Sequence, residues 1–329
     1  MRMLLLIGLL SAQLLIAQES ENLEKRLSGI CVERTSFHEI NLELFVEELR
    51  HLSASKNGQE AKPRINFVLI ADSQETFSMP ERDISLLELL QLACRSFKLK
   101  AVFDPHAVVI VPADHRFINP ATNEPTKSDQ EAISKRRIKP TIQFQDATIE
   151  EACEYLVPSV RAACDPSQDL PPLNLVLKST PSASARHLSI YLHDIPIHET
   201  LRYFGELSGL KLQYQAEGAV LSPVGDDLGK TEIRDSGAAK LRADQILLPK
   251  VEFMDVTLAD VVTFVQTKSA EIDPSKKGVR ITVPTGLVEK APCTLSLRRM
   301  SVSEVLRYAA GLMELKLIAD DQGFIFAAK

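Results

Sequence analysis

The strongest constraint on this chain is internal: one stretch of sequence is written three times. Leu188-Ser189-Ile190-Tyr191-Leu192-His193-Asp194-Ile195-Pro196 meets Cys293-Thr294-Leu295-Ser296-Leu297-Arg298-Arg299-Met300-Ser301 when moved forward by 105 residues. Moved back by 111 it meets Phe77-Ser78-Met79-Pro80-Glu81-Arg82-Asp83-Ile84-Ser85. The registers then run without a gap, so that Glu88, Glu199 and Glu304 coincide, as do Leu90, Leu201 and Leu306. Between 186–224 and 291–329 there are ten identities in 39 positions, against about two or three expected from composition alone, and long-period self-similarity marks a repeat architecture. A second register joins the front halves: Pro140-Thr141-Ile142-Gln143-Phe144 matches Pro249-Lys250-Val251-Glu252-Phe253, with Thr35, Phe37 and Asn41 in the equivalent places of a more diverged first copy.

Each copy reads as strand, helix, strand, strand, helix, hairpin. Ile142 and Phe144, like Val251 and Phe253, alternate with polar residues as a half-buried strand does. Thr148-x-x-Glu151, Thr257-x-x-Asp260, Ser85-x-x-Glu88 and Ser301-x-x-Glu304 are capping patterns, in which a hydroxyl accepts from a free amide of the first turn. The second strand is Ile65-Asn66-Phe67-Val68-Leu69, Leu173-Asn174-Leu175-Val176-Leu177 or Val279-Arg280-Ile281-Thr282-Val283, and the closing hairpins turn at Asp104–Ala107, Gln215–Gly218 and Asp320–Gly323. The expected fold is therefore α+β: three tandem βαββαββ modules at 28–112, 138–224 and 245–329, with two helices on a small mixed sheet in each. Polar stretches at 113–137 and 225–244 read as linkers, which would leave modules of about 85 residues free to move and stable alone.

Residues 1–17 read as a signal peptide. Met1-Arg2 is a short positive end, Met3–Ala17 an uncharged and largely aliphatic run, and Gln18-Glu19-Ser20 turns polar. A fifteen-residue run of this kind falls short of the roughly 20 that span a bilayer but suits a secretory core. Cleavage after Ala17 is expected, with a periplasmic or secreted product that has no membrane span. Five cysteines (Cys31, Cys94, Cys153, Cys164, Cys293) do not recur between the copies, so a shared disulfide or metal framework is not expected. Only Cys153 and Cys164 are near in sequence, and they could meet if Pro158 between them ended the helix, so the sequence leaves that bridge open.

The net charge of −6, the lack of Trp and the 5% aromatic content argue against nucleic acid, which needs a basic stripe and stacking platforms. Glu88, Glu199 and Glu304 fall three residues into a helix, where capping explains their recurrence better than acid–base chemistry. His187, His193 and His198 lie close together but have no counterparts in the other copies, and no phosphate loop, nucleophile elbow or His-Glu-x-x-His occurs. No catalytic, cofactor-binding or metal-binding residue is assigned. The partner-binding candidates are Arg202-Tyr203 and Arg307-Tyr308, residue types enriched at interface hot spots, set beside the apolar stripe of their helices.

The helix-opening Asp-Ala-Thr-Ile-Glu-Glu-Ala (146–152) and Asp-Val-Thr-Leu-Ala-Asp-Val (255–261), the Leu-x-Ile-x-Leu strand, the Glu-x-Leu-Arg-Tyr helix, Gly-Leu-Lys-Leu and the closing Gly-Ala-Val-Leu or Gly-Phe-Ile-Phe strand resemble the short N-terminal domain shared by secretins and TonB-dependent signal transducers. The resemblance implies periplasmic, non-catalytic modules that dock onto protein partners. The expected architecture is the three copies without the secretin pore or the transducer barrel. An exported adaptor or scaffold of the cell envelope is the expected function. An envelope hydrolase with a site between modules and a purely structural spacer are the alternatives.

Overall fold

The computed structural model describes residues 23–55, 65–71, 73–119, 137–138, 141–163, 173–215, 218–226, 228, 231–284, 286–287 and 293–328. Residues 1–17, read above as a signal peptide, and Cys164 lie outside them, and with Cys164 the pairing of Cys153 and Cys164. The fold is mixed α+β. In the first repeat the order is α1 (residues 23–28), β1 (Cys31–Ile40), α2 (Leu42–Ser55), β2 (Phe67–Leu69), β3 (Phe77–Ser85), α3 (Leu86–Ser96), β4 (Leu99–Phe103) and β5 (Val108–Pro112). The second runs β6 (Arg137–Ile138), β7 (Ile142–Ala147), α4 (Ile149–Ala163), β8 (Leu175–Leu177), α5 (Pro181–Ser184), β9 (Leu188–Leu192), β10 (Ile195–Pro196), α6 (Ile197–Ser208), β11 (Leu210–Tyr214) and β12 (Ala219–Pro223). The third runs β13 (Ile233–Ser236), α7 (Ala238–Gln245), β14 (Leu247–Val256), α8 (Leu258–Ile272), β15 (Ile281–Thr282), β16 (Cys293–Ser301), α9 (Val302–Leu312), β17 (Leu315–Ala319) and β18 (Phe324–Ala328).

Local chemistry places these elements where the sequence puts them. Ser85 and Glu88 form a reciprocal cap on α3, Thr257 and Asp260 do so on α8, and Thr148 and Glu151 exchange the same two bonds on α4. Left-handed residues recur at equivalent places: Glu39, Asp146 and Asp255 before the first helix, and Lys98, Gly209 and Glu314 after the second. Pro158 does not end its helix. It sits on the exposed side of α4, where solvent can take up the carbonyl that proline leaves unbonded, and the helix runs on to Ala163.

The sheets do not stay within repeats. β4-β5-β2 of the first repeat continues into β9-β7 of the second as one five-stranded sheet, and β11-β12-β8 of the second continues into β16-β14 of the third. The two seams share one register: Phe67↔Tyr191, Val68↔Ile190 and Leu69↔Ser189 at the first, Leu175↔Ser296, Val176↔Leu295 and Leu177↔Thr294 at the second, both antiparallel. β1–β3 forms a two-stranded sheet, and β13-β17-β18-β15 a four-stranded one.

The chain accordingly divides into two compact units that cut through the second repeat. Of the described residues, one unit takes in those within 23–119, 137–152 and 185–208, the other those within 153–184 and 209–328. The first unit packs Phe37, Phe45, Phe77 and Phe97 ring to ring, with centroids 5.4 to 6.3 Å apart, among Leu42, Leu49, Leu86 and Leu90. The second unit's core brings Val176 and Val220 from the second repeat together with Val251, Leu295, Leu306 and Phe326 from the third. The stretch 225–244, expected as a linker, carries β13 and α7. At its centre Gly237 lies so close to the turn at Asp320 that an added Cβ would fall 2.2 Å from the Asp320 carbonyl carbon.

Candidate functional site

Arg202, Tyr203, Arg307 and Tyr308 are found inside the molecule rather than on its surface. Tyr203 and Tyr308 are fully buried, Arg202 nearly so and Arg307 half-buried. The correction has a physical reason: a second repeat's helix does not face water on that side, because the preceding hairpin turn is docked there. Arg202 Nη2 donates to Asp104 Oδ2 at 2.8 Å, Nε to Glu199 Oε2 at 2.7 Å and Nη1 to the Asn119 carbonyl at 3.3 Å. Its guanidinium lies 4.4 Å over the Tyr203 ring, and the Tyr203 hydroxyl donates to Asp104 Oδ1 at 2.7 Å.

The third repeat reproduces this. Arg307 Nε donates to Glu304 Oε2 at 2.6 Å, Arg307 Nη2 reaches Gln215 Oε1 at 3.4 Å, and the Tyr308 hydroxyl donates to that same oxygen at 3.0 Å. Gln215 opens the second hairpin as Asp104 opens the first. Glu199 and Glu304 therefore hold arginines as well as lying in a first helical turn. Burial opposes the charge on Arg202, but Tyr203, Asp104 and Glu199 outweigh it and keep the guanidinium's pKa above its ordinary value. Burial, with Asp104 beside it, pushes the Tyr203 phenol well above the usual tyrosine range.

A second recurring contact ties main chain to side chain. Asn66 Oδ1 accepts from the His193 amide at 2.8 Å, and Asn66 Nδ2 donates to the His193 carbonyl at 3.3 Å. Asn174 does the same for Arg298, at 2.7 and 3.4 Å. Both asparagines lie in the second strand of their repeats, where nothing local in the sequence gives them a role. Their recurrence in two copies and the Arg280 in the third were the available signal.

Over each seam the preceding repeat's first helix roofs a groove. In the first unit Val46, Glu47 and Arg50 of α2 face Phe67, Gln145 and Ile190 around a cavity of about 70 Å³, with Arg50 stacked 4.7 Å from the Tyr191 ring centre. In the second unit the equivalent Cys153, Glu154 and Val157 of α4 face Leu175, Met254 and Leu295 around about 150 Å³. Met254 is 40% exposed there. Both grooves have an apolar floor and a rim carrying glutamate.

A larger cavity of about 670 Å³ in the first unit is lined by His115, Arg116, Asp146, Arg186, His187 and Glu206, among others. Glu206 accepts from the Ile118 amide at 3.0 Å and from the Asn119 amide, which fixes the chain after β5 against α6. The three neighbouring histidines do not converge: His187 pairs with Asp146 at 2.9 Å, His193 faces the Thr141 hydroxyl at 3.2 Å, and His198 lies 4.0 Å from Glu199. Among the described residues no group of three or more His, Cys, Asp or Glu side chains is placed to hold a metal ion. No helix is long and apolar enough to cross a membrane among those residues. Comparison with known proteins finds no matching family model, no similar curated protein and no similar solved structure.

Proposed function

We propose that this chain is an exported, non-enzymatic scaffold of the cell envelope, made of three copies of one βαββαββ module resembling the short N-terminal domain of secretins and TonB-dependent transducers. The observation that carries the reading is the seam built twice in one register, each time roofed by an equivalent helix over an apolar groove. An arrangement that repeats its joints holds its repeats in fixed order, and recurring grooves present equivalent docking places for protein partners. Arg202, Tyr203, Arg307 and Tyr308 serve this by locking the array, and the outward-facing residues are Gln145 and Met254, at equivalent places in the two grooves.

The test is affinity capture from envelope fractions with the full chain and with Gln145→Arg and Met254→Arg, which charge the groove floors. The proposal expects the captured set to shrink while the thermal midpoint stays within a few degrees. An unchanged set from both variants overturns it.

A further inference from the structure

We infer that the outer sheet edges of this chain are blunted against a second copy of itself, and that a handful of positions decide whether two repeats join. The interior seams define what a joint requires. On the donor edge it is an asparagine followed two residues later by a valine: Asn66 with Val68, Asn174 with Val176, both valines fully buried. On the acceptor side it is an uncharged pair of strand residues, Tyr191-Leu192 or Ser296-Leu297, with both leucines fully buried. The acceptor helix adds the Arg-Tyr pair that grips the preceding turn.

The edges without a ladder partner among the described residues depart at these very places. β15 is the third copy of the donor strand, since the Phe324 amide bonds the Arg280 carbonyl as the Val108 and Ala219 amides bond those of Asn66 and Asn174. It offers exposed Arg280 for the asparagine and exposed Thr282 for the valine. β3 is the first copy of the acceptor strand, since Met79 pairs with Phe37 as Ile190 pairs with Phe144 and Leu295 with Phe253. It offers Pro80 and Glu81, both exposed, for the uncharged pair. Its helix offers Gln91-Leu92 where the others have Arg-Tyr.

Each change opposes joining for its own reason. Proline gives a ladder no N–H, and charged side chains on an edge strand must be desolvated before another strand can pair. Arg280 would also be brought to the backbone of Arg82, the counterpart of His193 and Arg298, so that like charges meet. A donor edge in one unit and an acceptor edge in the other form a heterologous pair, and such contacts run on into open filaments, where they do not close into rings, unless they are blocked.

The experiment builds the missing joint in the full chain. One variant carries Arg280→Asn with Thr282→Val; the other carries Pro80→Ser, Glu81→Leu, Gln91→Arg and Leu92→Tyr. Each alone should sediment as a single chain, as should the wild type, and an equimolar mixture should double in mass. No rise in mass on mixing overturns the inference, as does a wild-type chain that assembles to the same extent. A head variant restricted to Pro80→Ser and Glu81→Leu, both exposed, covers the case in which the helix substitutions disturb folding. In the reverse direction, Asn66→Arg with Val68→Thr puts outer-edge residues at the first seam. Amide exchange of Phe67–Leu69 should quicken at least tenfold while residues 293–301 are unaffected; equal exchange in the two proteins would count against the assignment.

Discussion

Asp104 is engaged on both oxygens, one by the Tyr203 hydroxyl and one by Arg202, and all three side chains are nearly or fully removed from water. Removing one partner of a buried ion pair leaves the other charge uncompensated, a loss of about 3–5 kcal/mol. Asp104→Ala is therefore expected to lower unfolding stability by that amount in denaturant titrations. At the second seam the partner is a neutral amide and Arg307 keeps its bond to Glu304, so Gln215→Ala should cost about 1 kcal/mol. Asp273 supplies a pH test. Bonds from the Ser275 hydroxyl and amide, then from the Gly278 and Lys277 amides, draw its pKa down to about 2. A depressed folded-state pKa means that the stabilisation is complete above the unfolded value of about 4 and is lost as pH falls through about 2. NMR titration of the Asp273 carboxyl should give a midpoint near 2, and Asp273→Asn should abolish that dependence. At this scale the sequence was legible wherever an interaction is local. Ser85 with Glu88 and Thr257 with Asp260 are three residues apart and were readable. Asp104 and Arg202 are 98 apart and were not.

Among the elements, α4 separates propensity from context. Proline inside a helix forfeits one bond and crowds the preceding turn, about 3 kcal/mol against alanine on an exposed host helix. Here the ring lies on the exposed side, and Leu156, Val157 and Val160 stay buried on the other face, so packing carries the helix through. Pro158→Ala is expected to stabilise the protein by about 1–3 kcal/mol, read as a rise in thermal midpoint; no change or a fall would mean that α4 is already relaxed around the proline. The strands and helices of the repeats were readable because their periodicity and caps are written locally. β13 and α7 were not, since 233–245 holds little apolar sequence, and what fixes them is the close approach of Gly237 to the Asp320 turn together with the bond from the Ala238 amide to Asp321.

In the whole molecule the repeats are joined by their sheets. β2 and β8 are interior strands flanked on both sides, whereas β15 has one ladder partner among the described residues. Hydrogen exchange should therefore rank Val68 and Val176 among the slowest amides and Thr282 well above them, by about two orders of magnitude or more. Comparable rates at all three positions would contradict the seams. Truncation after residue 224 should uncover the β8 edge at Val176 and lower solubility, in contrast to the free-standing modules that length alone suggests.

What the sequence determined by itself is the main strands and helices with their caps, because these follow from contacts within a few residues. Which strands meet at the two seams was settled only in the folded chain, because ladder bonds are made by main chain that every residue carries, and the seam partners lie more than a hundred residues apart. The Arg-Tyr pairs show both sides. Their presence in two copies was plain in the sequence, but only the docked hairpin turn takes them out of water and makes them part of the joint.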